Sequence, residues 1–323
     1  MISNLLACCV SRTVTNVATE PLLPDMNKSA THSRAAKLKN EDWMSNHQLR
    51  RVCDLWVIPG SHHSGVIRPK KRVSHAVWGW AQTQESSISQ QMCFGVRFLD
   101  FRVRVLKGQV ILSHGLSSDA RLDLSLESVR YFLDSHPTEF IILYLRADKW
   151  HEMSAADRQK VREVMVASKL VFSAALDSFA TVRVGDLAGK VVYFSPDAPI
   201  PKVTWRTELL AYCDIWQEPS VEEAKARVTA YLQGLQARSG SGDGSINGVA
   251  LDGAFPVKQQ CYTSRELNSW LLSRLQMGEF SKLRSLGLVI IDFASEDIVG
   301  ALLALNRPVK TVRIAEANSA LAG

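Results

Sequence analysis

Residues 55–65, LWVIPGSHHSG, join a short apolar run to a polar loop that carries two neighbouring histidines. Seven more short runs rich in Val, Ile and aromatic residues follow, and such runs predict buried β-strands. The eight predicted strands are Leu55–Pro59, Val96–Val105, Val110–Ser113, Phe140–Leu145, Lys190–Phe194, Cys213–Trp216, Val257–Tyr262 and Gly287–Phe293.

Helical patterns separate most of these strands. The predicted helices are Leu124–Ser135, Ala155–Ala167, Val221–Leu235, Arg265–Met277 and Ile298–Leu305. Strands that alternate with helices favour a mostly parallel sheet. Eight strands in about 280 residues favour an α/β fold of the distorted (β/α)8 TIM-barrel type. A doubly wound open sheet is the alternative.

The composition predicts one large globular domain after a tail. The chain has 323 residues, of which 46% are hydrophobic and 22% charged, as in ordinary soluble proteins. Residues 1–40 are rich in Ser, Thr, Asn and Lys and predict a flexible N-terminal tail, and residues 41–323 predict a single barrel domain. Arg238–Gly248, which reads RSGSGDGSING, predicts a mobile surface loop within that domain.

The six cysteines show no CxxC pairing, which argues against a zinc site and against a disulfide framework. Their pattern favours a reducing, cytoplasmic compartment. No run of eighteen apolar residues is present to predict a transmembrane helix. Cys8 and Cys9, beside an apolar start, predict either S-palmitoylation or two unmodified thiols in the tail.

The net charge of +6 has two interpretations. One is a solvated basic surface, and the other is attraction to an anionic membrane face. Lys70-Lys71-Arg72, followed by Trp78 and Trp80, suits a lipid interface, although an ordinary surface loop fits the same residues. No nucleic-acid-binding pattern is present.

Polar residues at strand ends are the candidate site. In a barrel, the carboxyl ends of the strands carry the chemistry. His62 follows the first predicted strand, Asp100 and Arg102 lie on the second, His114 ends the third, and Asp292 lies on the last. Charges on buried strands are costly unless they are paired, so we expect these side chains to meet in the barrel mouth.

This set of residue types suits phosphodiester chemistry. A neutral histidine can take a proton from a nucleophilic hydroxyl, a protonated one can give a proton to the leaving oxygen, and an arginine can balance charge on phosphorus. Each histidine needs a carboxylate to fix its tautomer. Singly, a histidine at a strand end is more often structural, and an Asp-x-Arg on a strand is more often a buried ion pair.

Several motifs together resemble the X domain of phosphatidylinositol-specific phospholipases C. The resemblance covers residues 42–148 and 287–305 and is greatest for X-domain-only proteins and their bacterial and trypanosomal relatives. The matching stretches are IPGSHHSG at 58–65, WAQTQESSISQQMCFGVRFLDFRV at 80–103, SHGL at 113–116, HPTEFIIL at 136–143 and VIIDF at 289–293.

The resemblance implies a role for each site residue. His62 would be the general base on the inositol 2-hydroxyl, and the reaction would yield diacylglycerol and a 1,2-cyclic inositol phosphate. His114 would be the general acid for the glycerol oxygen. Asp292 would pair with His62, Asp100 would lie near His114, and Arg102 would contact the phosphate.

Arg102 also bears on metal use. Calcium-dependent members of the family carry two carboxylates on this strand, at the positions of Asp100 and Arg102. An arginine cannot ligate calcium but supplies positive charge itself. We therefore predict no metal and no other cofactor. The same strand argues against a glycerophosphodiesterase-like barrel, which needs an E-x-D pair.

The chain departs from the family in its predicted substrate contacts. His63 stands where Asp or Asn is usual, so it cannot supply negative charge and is predicted to contact the phosphate as a cation. Arg146 stands where a basic phosphate or inositol contact is expected. Trp216 and Tyr262 offer ring faces for the sugar, although barrel packing would explain them equally well.

The predicted partner is a phosphatidylinositol-type phospholipid, plain or glycosylated, at a membrane surface. The protein is predicted to be a monomer, cytoplasmic and peripherally membrane-associated. Two alternatives stay open. One is a catalytically weakened module that binds inositol lipids, and the other is a phosphodiesterase that acts on another phospholipid.

Overall fold

The computed structural model of the protein describes residues 40–67, 82–148, 152–215, 218, 220–237, 244–252 and 260–306. The strands in these parts of the chain are β1 Val57–Ser61, β2 Phe98–Leu106, β3 Gln109–His114, β4 Leu116–Arg121, β5 Ile141–Ala147, β6 Val191–Phe194, β7 Thr204–Trp205, β8 Leu210–Asp214, β9 Ile246–Leu251 and β10 Gly287–Ile291. The α-helices are α1 Ile88–Phe94, α2 Leu122–Ser135, α3 Ala155–Ala167, α4 Val221–Ala237, α5 Gln260–Gln276 and α6 Glu296–Leu303.

Local chemistry sets the helix starts. Ser87 and Gln90 form a reciprocal capping box at the start of α1, and Gly95 ends that helix with a left-handed φ of +111°. Ser154 caps α3 in the same way through Asp157, as its position before a helical pattern predicts. Caps of this kind satisfy the backbone N–H groups that have no partner inside the first helical turn.

Eight parallel strands form the body of the sheet in the order β7-β6-β5-β2-β1-β10-β9-β8. Each strand neighbours the next parallel strand along the chain, and the first pairs with the last, with Val57 opposite Gly287. This cyclic order is that of a barrel, since a doubly wound sheet would reverse direction after its first half. The α/β fold of distorted TIM-barrel type is therefore confirmed, and the open-sheet alternative is wrong.

Two features distort the barrel. Within the described residues, no hydrogen-bonded pairing joins β7 to β8, so a seam remains between these two strands. The antiparallel hairpin β3–β4 is attached to β2 outside the eight-stranded path. The hairpin carries the predicted site residue His114 as the last residue of β3.

Side chains alternate between two hydrophobic cores. Ile58, Phe98 and Leu288 lie in the core inside the barrel, whereas their neighbours Leu99 and Val289 lie in the core between strands and helices. Such alternation follows from the two-residue period of a β-strand. The inward-facing residues of β2 are Phe98, Asp100 and Arg102, and those of β10 lead to Asp292. The inner face of the barrel therefore changes from apolar to charged residues at the carboxyl ends of these strands.

A buried ion pair lies at the other end of the barrel, before β2 and β5. The side chain of Arg97 is fully buried and donates from Nε and Nη2 to Oε2 of Glu139 at 2.9 and 2.7 Å. Glu139 also accepts a bond of 3.1 Å from the backbone N–H of Met44, in the 3₁₀ segment Asn40–His47. Arg97 reaches the same segment through the carbonyl of Glu41. This network joins the segment to the barrel.

His47 in that segment should make stability depend on pH. Burial first, and then the charge of Arg50, lower the pKa of His47 from 6.5 to about 4. Between these two pKa values, His47 binds a proton in the unfolded chain but not in the folded chain. The neutral His47 therefore contributes stability above pH 6.5, and this stability is lost as the pH falls towards 4. Between pH 7 and 4.5, urea unfolding of the wild type should lose about 1–2 kcal/mol more than that of His47→Gln, after allowance for screening. Equal losses would contradict this.

The structure corrects two predicted elements. Strand β9 begins at Ile246, inside the predicted loop Arg238–Gly248, because this segment pairs with β8 on one side and β10 on the other. Residues 260–262, predicted to end a strand, instead begin α5. Short strands β4 and β7 were also not predicted.

Several predictions fall on residues outside the described parts of the chain. They concern the tail at residues 1–39 with Cys8 and Cys9, and the basic and tryptophan-containing segment at residues 70–80. In the described residues, no helix is both long and apolar enough to cross a membrane.

Candidate active site

His62 follows β1 and lies in the mouth of the barrel, where it is 6% exposed. Its Nδ1 lies 2.8 Å from Oδ1 of Asp292, which follows β10, the strand beside β1. Because an ionised carboxylate only accepts hydrogen bonds, the neutral imidazole carries its hydrogen on Nδ1 and its lone pair on Nε2. The predicted pair between His62 and Asp292 is thus present, and Nε2 is the basic atom.

Neighbouring polar groups hold this pair in place. Ser264 on α5 donates from Oγ to Oδ2 of Asp292 at 3.1 Å, and Asn268 donates to the Asp292 backbone carbonyl at 2.9 Å. The side chain of Gln84 donates to the carbonyls of His62 and Ile291 at 2.9 and 3.0 Å. The orientation of the His62 ring therefore depends on α5 and on the loop before α1.

Two further carboxylates face the Nε2 side of His62. Oδ2 of Asp100 lies 3.9 Å and Oδ2 of Asp252 lies 3.8 Å from that nitrogen. Asp252 is 4% exposed, and its Oδ1 is buried without a hydrogen-bond partner among the described residues. Asp252 was not among the predicted site residues. Its signal is the inward series 246, 248, 250, 252 along β9, a strand whose first three residues fall in the predicted loop Arg238–Gly248.

These carboxylates control the protonation of His62. Burial is the largest single influence and acts to lower its pKa, but Asp292, by charge and hydrogen bond, together with the charges of Asp252 and Asp100, outweighs it and raises the pKa to about 9. Burial raises the pKa of Asp252 well above its usual value, partly opposed by His62. The site is therefore a strongly coupled acid–base cluster.

Two arginines on adjacent strands provide positive charge. Arg102 on β2 donates from Nε to Oδ1 of Asp100 at 3.1 Å. Arg146 lies directly opposite Arg102 in the β2–β5 register, with its Nε 3.9 Å from the same oxygen. The two guanidinium groups lie on the β2–β5 side of the mouth, where they offer hydrogen-bond donors and positive charge to an anionic group.

His63 lies between the other two histidines. Its ring centroid is 4.1 Å from that of His62 and 4.2 Å from that of His114, whereas the His62 and His114 centroids are 6.3 Å apart. The backbone of His63 has a φ of +40°, and its N–H donates to Oδ2 of Asp100 at 3.3 Å. The structure thus brings the predicted base, the predicted acid and His63 into one cluster.

Close packing brings the hairpin with His114 to the site. A Cβ atom at Gly65 would lie 1.9 Å from Cδ1 of Leu112 on β3, so only glycine allows this approach. The buried carboxylate of Asp148 accepts bonds of 2.5 Å from Oγ of Ser113 and 2.9 Å from the N–H of Gly115. Asp148 therefore holds the Ser113 side chain and the Gly115 backbone, which flank His114.

Of the two aromatic residues predicted to contact the sugar, the structure describes Tyr262. Tyr262 lies on α5 and is 68% exposed, and Trp216 is outside the described residues. Two other tyrosines, Tyr144 on β5 and Tyr212 on β8, occupy inward positions near the mouth. Burial is the main cause that raises the pKa of both phenols. The inward parity of their strands was the signal that would have found them.

The cluster also offers ligands to a metal ion. His62, His63 and Asp100 each present a nitrogen or oxygen atom within 4.8 Å of the others, and all three residues are buried. This geometry neither requires a metal for catalysis nor tests the predicted absence of one.

A barrel with a cluster of histidines, carboxylates and arginines at the carboxyl ends of its strands is typical of barrel enzymes. No protein-family model matches the chain. Over 183 residues it is 26% identical to a PI-PLC X-box domain-containing protein of Dictyostelium discoideum, a match that covers 51% of this chain and 24% of that protein. Over 147 residues it is 29% identical to human PI-PLC X domain-containing protein 1, covering 36% of this chain and 44% of the relative.

The solved structures give the fold. The phosphatidylinositol-specific phospholipase C of Listeria monocytogenes superposes with a TM-score of 0.69 at 19% identity, over 84% of this chain and 100% of that one. The chain spans less than half the length of the curated relatives named above. The predicted resemblance to phosphatidylinositol-specific phospholipase C X domains is confirmed by these matches, and the barrel is the fold of the bacterial enzyme.

Proposed function

We propose that this chain is a calcium-independent phospholipase C that cleaves phosphatidylinositol or glycosyl-phosphatidylinositol lipids. The products are diacylglycerol and 1,2-cyclic inositol phosphate. The observation that carries the proposal is the buried His62–Asp292 pair. Nε2 of His62 faces the mouth of the barrel, where His114 and Arg102 also lie. The similarity to phospholipase C X domains supports the same reaction class.

In the first step, Nε2 of His62 takes the proton of the inositol 2-hydroxyl while that oxygen attacks phosphorus. Asp292 stabilises the imidazolium ion that forms, as a carboxylate does for a catalytic histidine. A pKa of about 9 leaves about one His62 in a hundred neutral at pH 7 in the free protein, and this fraction grows as the pH rises towards 9.

The same step breaks the bond between phosphorus and the glycerol oxygen. His114 gives a proton to that oxygen, and diacylglycerol leaves. The separation of 6.3 Å between the His62 and His114 rings suits one ring at the entering oxygen and the other at the leaving oxygen. Asp148 holds the His114 backbone for this role.

The arginines stabilise the charge that develops on the phosphate oxygens. Arg102 is 7% exposed, and a buried guanidinium acts more strongly on a phosphate than one in water. Arg146 adds a second positive charge from the neighbouring strand. Arg102 thereby replaces the calcium ion that a carboxylate at its position would serve, and catalysis needs no metal.

A lipid substrate places the reaction at a membrane surface. We propose a monomer that binds the membrane peripherally from the cytoplasm, with Cys8 and Cys9 as candidate acylation sites. Membrane association that is unchanged in the double variant Cys8→Ser/Cys9→Ser would reject the acylation.

The test of the function is cleavage of radiolabelled phosphatidylinositol, presented in vesicles, in a buffer that contains EDTA. We expect release of 1,2-cyclic inositol phosphate, because every group in the mechanism is a side chain of the protein. No turnover of any inositol lipid would reject the proposal. Vesicle binding without turnover would then indicate a lipid-binding module, for which His63 in place of a carboxylate is the supporting observation.

A further inference from the structure

The donor atoms around His62 form an arrangement that the proposed reaction does not use. Nε2 of His62 and Nε2 of His63 lie 3.9 and 4.0 Å from Oδ2 of Asp100. Oδ2 of Asp252 lies 3.8 Å from Nε2 of His62. Ligand atoms of His62, His63 and Asp100 thus lie within 4.8 Å of one another in a buried space, and Asp252 approaches this group at His62.

The spacing suits a small tetrahedral ion. Zinc bonds to nitrogen and oxygen of about 2.0–2.1 Å place tetrahedral ligand atoms about 3.3–3.4 Å apart. The two histidine nitrogens lie 3.9 and 4.0 Å from Oδ2 of Asp100, about half an ångström more than this spacing, so the side chains have to rotate to bring the ligand atoms closer.

The outer contacts orient the ligands. Nδ1 of His62 is held by Asp292, so the neutral imidazole carries its lone pair on Nε2, and a carboxylate behind a ligating histidine is typical of zinc sites. Arg102 engages Oδ1 of Asp100 and leaves Oδ2 facing the histidines. Asp252 adds a second observation, because this buried carboxylate directs Oδ2 towards Nε2 of His62, and its Oδ1 has no hydrogen-bond partner among the described residues.

The ligand set selects the ion. Two imidazoles with one carboxylate suit zinc, which takes water as a fourth ligand, whereas calcium and magnesium prefer sites made of oxygen atoms alone. The cysteine pattern, which argued against zinc, has no bearing on a site built from His and Asp.

We propose that His62, His63 and Asp100 bind one Zn²⁺ ion, which occupies Nε2 of His62 and reversibly blocks the reaction. Asp252 faces the same nitrogen and adds negative charge beside the ion. The binding itself does not depend on the proposed function, but the inhibition does. His63 is central to this inference, because an Asp or Asn at its position would remove one of the two imidazoles.

Calorimetric titration of the full, EDTA-treated and desalted protein with ZnCl2 tests the site. We expect one zinc ion per chain, with MgCl2 in excess unable to compete. His63→Asn and Asp252→Asn should each weaken zinc binding at least about tenfold. The first variant should fold, because asparagine tolerates the positive φ at this position. His136→Asn, at the far end of the barrel, is the control that should keep full affinity.

The activity assay gives a second readout. Zinc should inhibit the release of cyclic inositol phosphate by the wild type, EDTA should restore it, and any activity left in His63→Asn should need at least about tenfold more zinc for inhibition. Absence of saturable zinc binding, or equal affinity in the wild type and both variants, would overturn the site. Zinc binding in a protein that cleaves no inositol lipid would reject the proposed function but keep the zinc site. Cleavage of inositol lipids by a protein that binds no zinc would reject the zinc site but keep the proposed function.

Discussion

Replacing His62 by asparagine should lower the rate of phosphatidylinositol cleavage by about 10³–10⁴-fold, the contribution expected of a general base. Asparagine keeps a polar group next to Asp292 but has no atom that can accept the proton of the hydroxyl. The measurement is the initial rate of cyclic inositol phosphate release in EDTA, together with thermal unfolding to show that the variant is folded.

His136 supplies a matched control for this substitution. Its Nδ1 lies 2.8 Å from Oδ1 of Asp42, the same distance as in the His62–Asp292 pair, but it precedes β5 and so lies at the opposite end of the barrel. His136→Asn should therefore keep nearly the full rate. A folded His62→Asn protein with more than about a tenth of the wild-type rate would remove His62 from the mechanism.

Replacing Glu139 by alanine should lower the free energy of unfolding by about 3–5 kcal/mol. The substitution leaves the guanidinium of Arg97 fully buried without its carboxylate, and it removes the acceptor for the N–H of Met44. Urea unfolding at pH 7 measures the loss. The effect should exceed that of a surface substitution because water cannot reach the stranded charge.

Two comparisons separate this explanation from a general effect of losing an ion pair. Asp123→Ala removes the exposed pair with Arg121 and should cost less than about 1 kcal/mol. The double variant Arg97→Met/Glu139→Leu should recover part of the stability, since no charge is left buried. A loss of less than about 1 kcal/mol in Glu139→Ala would contradict the proposed role of the network.

Most of the barrel was predictable because its strands are short apolar runs between helical patterns. Periodicity failed where strands are brief or rich in glycine and asparagine. Strand β7 has only two residues, and β9 begins with Ile246 and Asn247 directly after a Gly/Ser-rich stretch. The average composition of the surrounding sequence hides such strands. They form because they pair with neighbouring strands in the sheet, which the sequence pattern does not show.

The candidate site was predicted in part. His62, Arg102 and Asp292 were predicted to meet because they lie at the ends of apolar strands, and the structure brings His62 and Asp292 into contact. Asp252 was missed, because its position could be read only after β9 and its inward face were known. The left-handed backbone that places His63 between two other rings has no signal in the sequence, since it depends on the contacts of the turn after β1.

The seam between β7 and β8 has a consequence for the size of the barrel. In a closed barrel, the number of strands and their stagger fix the radius. Larger side chains inside such a barrel can be accommodated only if the hydrogen bonds between two neighbouring strands are broken. Where two strands carry no mutual hydrogen bonds, the circumference can grow at that point alone. Larger side chains at the inward positions of β8, beginning with Tyr212, should therefore be tolerated better than enlargements on the fully paired strands β1 and β10.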